Sequence, residues 1–386
     1  MTLLAYHPFK ALYVLSALAF ELTRLPFWTL KYLLPRGRQH PKWSFRQALS
    51  MRVFYAFLAH AATVQVKTPL PLTPGREKDR WVIMKLREEW KTLFKGPLLG
   101  NGRSEIVPGD VGGTWYTKNK AKSGLRVGDN MENVLVILHI HGGAYVVGNG
   151  RTTVSSSLTS TLFRHTRATH ILMPQYRLST LPASRTSNPF PAALQDSLTS
   201  YLYLLRELKV PARNIVLSGD SAGANNAVAL LRYIAEYGAD LDIPTPRAAL
   251  LWSPWINPHE GSVDGVLKNP NYISDYLSPA FTQWGHRAYA GLSGAANLDT
   301  PYVNHKLKMF RTETPLFVNA GSAEILYFDA REWAREMAGV QGNRVTWDEE
   351  EAVPHDMLLM GDVLGFGGSV ERMGKRVGEW LGGITD

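Results

Sequence analysis

The pentapeptide Gly219-Asp220-Ser221-Ala222-Gly223 is where this chain could do covalent chemistry. An apolar run, Asn214-Ile215-Val216-Leu217-Ser218, precedes it, and a helix-forming stretch from Ala224 to Tyr237 follows. A strand, a sharp turn and a helix in that order push a serine hydroxyl clear of the backbone, where it can act as a nucleophile. Glycines flanking the turn remove side chains that would collide in strained, closely packed backbone. Such a serine needs three partners: N–H donors for the oxyanion it creates, a base for its proton, and a carboxylate to orient the base.

Each partner has a candidate. Val134-Leu135-Val136-Ile137-Leu138-His139-Ile140 has the composition of a fully buried strand, and His141-Gly142-Gly143-Ala144 follows at once. Glycines let a loop come close and leave its amides uncovered, so Gly142 and Gly143, with the N–H of Ala222, are the candidate oxyanion hole. Past the strand-like Pro315–Ala320 comes Glu324, where an orienting acid belongs; Asp329 is the runner-up. A short last strand, Arg344–Trp347, leads to His355, the one of 11 histidines in the expected place. His170, which opens a strand, and His286, in a lid-like helix, are assigned no role. His139 and His141 have no acidic or cysteine partner at ligand spacing, so no metal site is expected there. His141 is expected to bond backbone and shape the loop. Acyl transfer through Ser221, His355 and Glu324 requires no metal or organic cofactor.

From Val134 to about Trp380, roughly two thirds of the chain, the sequence resembles the hormone-sensitive-lipase-like branch of the α/β-hydrolases, which includes arylacetamide and sterol deacetylases. The loop at His141 is similar to the H-G-G-G of esterases, with Ala144 in place of the third glycine. Gln175-Tyr176-Arg177-Leu178 resembles the family's D-Y-R-L, with glutamine replacing the acid. Phe190-Pro191-Ala192-Ala193-Leu194-Gln195-Asp196 and Ser253-Pro254-Trp255 match its F-P-A-A-x-x-D and S-P-W. Glu324 stands where the family usually has aspartate, and His355-Asp356 where it often has H-G. The resemblance implies an α/β-hydrolase fold, a mostly parallel doubly wound sheet under an α-helical lid, and a serine esterase or deacetylase. Within the family the chain resembles fungal hydrolases, some from secondary-metabolite pathways. A short acyl group on a hydrophobic alcohol is the expected substrate, because the Ala144 methyl narrows the loop and the lid is aromatic.

The elements that must hold these residues follow from composition. At 386 residues and 45% hydrophobic content, one large core is affordable. Strands are expected at 113–117, 134–140, 169–175, 214–218, 247–252, 315–320 and 344–347, alternating with helices as a doubly wound sheet requires. The alternation breaks between Trp255 and Thr300, so a lid insertion is expected around 256–300, with Trp255, Tyr272 and Trp284 as candidate substrate-binding residues. Residues 101–386 then form the catalytic domain, and residues 1–100 an N-terminal helical lid that doubles as a membrane-surface segment.

That N-terminal segment carries most of the charge surplus. The whole chain is +9, and through residue 52 eight basic side chains face one acid, a net of +7. On a helix, Lys10, Glu21, Arg24 and Lys31 share one narrow face. No nucleic-acid recognition motif accompanies the charge, and the aromatic, apolar opposite face favours peripheral contact with a bilayer surface. The uncharged run Ala11–Phe20 is shorter than the ~20 residues a spanning helix needs. Glu21 and Arg24 follow it rather than a small-residue cleavage site, so no cleavable secretory signal is expected. With no cysteine and no Asn-x-Ser/Thr sequon, the chain suits a domain facing the cytosol, including one held at the endoplasmic reticulum. Two other readings of the same residues stand beside the esterase: a binder of hydrophobic ligands without turnover, and a biosynthetic enzyme of this fold catalysing another reaction such as elimination.

Overall fold

Eight strands hydrogen-bond into one sheet, built around the fully buried apolar runs at its centre. A computed structural model describes residues 3–99, 105–119 and 123–384. The strands are β1 (Trp81–Met84), β2 (Val111–Thr117), β3 (Val136–Ile140), β4 (His170–Gln175), β5 (Ile215–Asp220), β6 (Ala248–Trp252), β7 (Leu316–Gly321) and β8 (Val345–Glu350). Their order across the sheet is β1-β2-β4-β3-β5-β6-β7-β8. β1 and β2 run antiparallel to their neighbours, and every pairing from β4 to β8 is parallel. Parallel strands need crossovers and are covered on both faces, which is why β3 to β6 are buried along their whole length.

The helices are α1 (Phe9–Leu33), α2 (Phe45–Thr63), α3 (Thr152–His165), α4 (Ala192–Leu202), α5 (Ala222–Leu241), α6 (Val263–Lys268), α7 (Pro279–Ala290), α8 (Ala295–Leu298), α9 (Tyr327–Ala338), α10 (Met357–Leu364) and α11 (Gly367–Gly382). α6 to α8 occupy the lid insertion. Two of the sequence motifs hold one another: Arg177 directs its backbone N–H and its guanidinium onto the buried Asp196 carboxylate, at 2.7 to 3.0 Å. Gln175 accepts from Arg151 Nε at 3.0 Å, an ordinary hydrogen bond in place of an ion pair.

The N-terminal hairpin is built into the fold. α2 starts with a capping box, in which Ser44 accepts from the Gln47 N–H and the Gln47 side chain accepts from the Ser44 N–H. Trp43 donates its indole N–H to the Ala352 carbonyl and packs edge-on against Phe366. Gln47 and Ser50 donate to the carbonyls of Gly365 and Leu364. The expected division at 100/101 lies outside the described residues, and β1, on its N-terminal side, already belongs to the sheet. α1 continues through Pro26, and part of its charged face points inward onto α2: Glu21 meets Arg24, Arg52 and His60 at 3.0, 3.5 and 3.4 Å, while Lys31 stays exposed.

Candidate active site

Ser221 terminates β5 and caps α5, with φ 52° and ψ −119°. A non-glycine residue stays in that region only when its surroundings force it there. Here the Ser221 N–H donates to the Trp252 carbonyl at 2.8 Å, and its carbonyl accepts from the N–H groups of Asn225 and Trp255 at 3.1 Å. A Cβ on Gly219 would lie 2.5 Å from the Gly223 carbonyl oxygen, and one on Gly223 would lie 2.0 Å from the Ile140 carbonyl oxygen. The turn therefore cannot close with side chains at either position.

The loop after β3 lies against this turn: a Cβ on Gly142 would be 3.0 Å from the Ser221 Cβ. Gly143, Ala144 and Tyr145 all have positive φ, at 105°, 52° and 63°. The loop geometry corrects one expectation. The Gly142 N–H donates to Asp220 Oδ2 at 2.9 Å, so it is already occupied and cannot serve an oxyanion. The N–H groups of Gly143 and Ala144 donate to no described residue. Ala222 is the first residue of α5, where a helix leaves the N–H without an intrahelical acceptor. Among the described residues the amides of Gly143, Ala144 and Ala222 are thus left without an acceptor and available to an oxyanion.

Both histidines of this region hold the loop. His139 sets Nε2 on Asp220 Oδ1 and Nδ1 on Ser218 Oγ, each at 2.9 Å. His141 donates from Nδ1 to the Gly142 carbonyl at 2.8 Å and stacks on Tyr176 at 4.2 Å, while the Tyr176 hydroxyl donates to the His141 carbonyl. Burial lowers the His141 pKa to about 4, so it packs as a neutral ring.

Glu324 and His355 meet beneath the lid. Glu324, fully buried, lies between β7 and α9, and His355 lies between β8 and α10. Nδ1 of His355 is 3.3 Å from Glu324 Oε2, an ionic contact without the angle of a formed hydrogen bond. Neither Glu324 oxygen has another hydrogen-bond partner among the described residues. Asp329 points elsewhere: it sits in the first turn of α9 and pairs with Lys306 at 2.8 Å. Burial alone would depress the His355 pKa, but the facing Glu324 carboxylate, with Asp275 and Asp220 behind it, holds it above the usual 6.5.

Two acids of this site were not singled out by sequence reasoning. Asp275, from the lid insertion, accepts from the N–H groups of Ile325 at 2.7 Å, Tyr276 at 2.7 Å and His355 at 3.4 Å. One carboxylate thus ties the Glu324 segment and the His355 loop to the lid. Asp220, inside the pentapeptide itself, anchors the loop after β3. Asp356 takes a left-handed conformation, φ 49°, and its N–H donates to Ser253 Oγ at 3.0 Å, which gives the Ser-Pro-Trp motif its contact with the His355 loop.

Of the expected pocket aromatics, Trp255 is buried beside Ser221 through its backbone N–H. Trp284 lies in α7 next to Gly285, where a Cβ would be 2.6 Å from the Ala144 Cβ, so this helix covers the loop after β3. Tyr272 is turned away: its hydroxyl is 3.2 Å from that of Tyr55 on α2. The lid aromatic packed on His355 is Tyr276, edge-on at 5.7 Å, and Phe54 of α2 packs edge-on against Tyr276 at 4.8 Å.

The sequence pattern of a family described by the alpha/beta hydrolase fold matches residues 137–359. An acetyl-hydrolase of Streptomyces hygroscopicus is 31% identical over 217 residues, 55% of this chain and 64% of its own length. Steryl acetyl hydrolase 1 of Saccharomyces cerevisiae is 21% identical over 249 residues, 61% of this chain and 56% of its own length. This chain therefore spans less than two thirds of the length of either relative. A solved esterase of the bacterial hormone-sensitive lipase family superposes with a TM-score of 0.58 at 21% identity, over 86% of this chain and 97% of its own. That likeness carries the fold.

Proposed function

The chain belongs to the α/β-hydrolase family, and from that premise we propose that it is a serine carboxylic-ester hydrolase that removes a short acyl group from a hydrophobic alcohol. The observation that carries the reading is the forced conformation of Ser221 beside free loop amides, with His355 held against Glu324. Ser221 Oγ attacks the ester carbonyl while His355 Nε2 takes its proton. The N–H groups of Gly143, Ala144 and Ala222 receive the oxyanion, each donor lowering the barrier by about 3 kcal/mol. The intermediate collapses, the C–O bond to the alcohol breaks, and His355 returns the proton to the leaving alkoxide. Water then repeats the sequence on the acyl-enzyme and releases the acid. Glu324 fixes the imidazole tautomer and stabilises the imidazolium.

Acetyl is the acyl group best supported. Both named relatives are acetyl hydrolases, and the Ala144 methyl, with α7 packed over it, limits space beside the hole. A series of p-nitrophenyl esters should give the highest kcat/KM at acetate or butyrate, each misfitting methylene costing ~1–3 kcal/mol. A maximum at long-chain esters would contradict the short-acyl assignment, and no turnover of any ester would favour a binding protein.

The pH profile tests the base. His355 must be neutral to accept a proton, and its pKa lies above 6.5. Activity should therefore be lost as pH falls, along a limb whose midpoint is above that value. Removing the Glu324 charge withdraws the main support for the imidazolium, so the residual activity of Glu324→Gln should show the limb at lower pH. An unshifted limb would mean that another group titrates.

A further inference from the structure

We propose that the outer face of the α1–α2 hairpin docks on an anionic bilayer surface. The hairpin is packed inside out. Its charged groups, Glu21, Arg24, Arg52 and His60, form a seam between the two helices, and the Tyr13 hydroxyl lies 2.8 Å from His60 Nδ1 in the same seam. Large apolar side chains point away from the protein: Leu15, Leu18, Leu22 and Leu30 are 64%, 58%, 59% and 67% exposed.

The width of this face identifies what covers it. At about 100° per residue, the exposed positions run from Val14 through Leu18, Leu22, Leu15 and Leu30 to Phe20, an arc of about 240°. A helix laid in a protein groove needs an apolar stripe of only about 100°. An arc more than twice as wide is served by an apolar medium that wraps the helix. Val53 and Phe57 of α2 extend the face, and a cleft of about 460 Å³ opens between the helices there, lined by Leu18, Leu25, Val53 and Phe57. That volume has room for an acyl chain. Contiguous exposed apolar side chains rimmed by polar ones mark an interaction or membrane site.

Charge specifies the kind of surface. Lys31, Arg36 and Arg46 are exposed at the end where α1 turns into α2, beside Lys42, which is ion-paired with Glu351. Basic side chains bordering an apolar helix face are attracted to anionic headgroups. No helix among the described residues is long and apolar enough to cross a membrane, so the hairpin lies in the plane of the interface. The inner side of α2 carries Phe54, which packs edge-on against Tyr276, and Tyr276 in turn packs on His355. On the esterase reading above, docking therefore sets the site roof directly behind the lipid.

Flotation of the full chain with phosphatidylserine–phosphatidylcholine vesicles tests this. The protein should rise with the vesicles at about 0.1 M salt, rise less as salt increases because surface charges are screened, and be released by carbonate. Leu15→Glu/Leu18→Glu/Leu22→Glu should reduce the bound fraction about tenfold by charging the buried face. Its thermal unfolding and its rate on water-soluble p-nitrophenyl acetate should match the parent chain. Absence of flotation, flotation unaffected by the triple change, or resistance to carbonate would each overturn the proposal. So would a dimer in sedimentation that the triple change dissolves without any vesicle binding. Loss of ester turnover with flotation intact would count against the esterase reading alone.

Discussion

Ser221→Ala should fold as the parent does and lose about six orders of magnitude in kcat, the scale on which serine-hydrolase triads fail when the nucleophile is removed. The size of the expected loss follows from the chemistry. Without Oγ no acyl-enzyme forms, and only the oxyanion donors and substrate positioning remain to accelerate attack by water. Stability should change little. The backbone bonds that force the turn, from the Ser221 N–H to Trp252 and from Trp255 to the Ser221 carbonyl, do not involve the hydroxyl, and alanine tolerates the same φ to a similar degree. The measurement is steady-state hydrolysis of p-nitrophenyl acetate beside a thermal melt. A well-folded Ser221→Ala protein that retains the parent rate would remove Ser221 from the chemistry.

Glu324→Gln should reduce kcat by about 10³ to 10⁴, the effect of replacing a triad acid with its amide. The amide keeps the shape and removes the charge facing His355 Nδ1 at 3.3 Å. It also offers an N–H₂ where the imidazole needs an acceptor, which favours the wrong tautomer. Asp329→Asn should leave turnover within a fewfold of the parent, because that carboxylate is engaged by Lys306. Comparing the two variants in one assay decides between the carboxylates: a crippled Asp329→Asn beside a mild Glu324→Gln would reverse the assignment.

The parts of this site that could be read from sequence are those set by local backbone. Gly219 and Gly223 bracket Ser221 because the turn cannot close otherwise, and the apolar run Ile215-Val216-Leu217 and a helix-forming stretch flank it. The parallel strands β3 to β7 were legible because burial on both faces leaves continuous apolar runs. β1 was not: Trp81–Met84 is four residues long and gains its identity from antiparallel pairing with Val111–Thr114. Donor assignment in the loop after β3 failed at Gly142 because the acceptor is Asp220, 78 positions away, turned back by its bond to His139. Asp275 gave no signal, since an acid among lid aromatics becomes an anchor only once three distant amides converge on it. For α1 the helical phase was readable, but which face points inward depends on Arg52 and His60 of α2.

Covalent labelling shows whether Ser221 is the nucleophile of a working triad. The full chain would be treated with a fluorophosphonate, digested, and the adduct located by mass spectrometry. One phosphonyl group is expected on the peptide that contains Ser221, formed in step with loss of ester hydrolysis and absent from Ser221→Ala. An adduct on another residue, or a chain that hydrolyses esters while Ser221 stays unmodified, would contradict it.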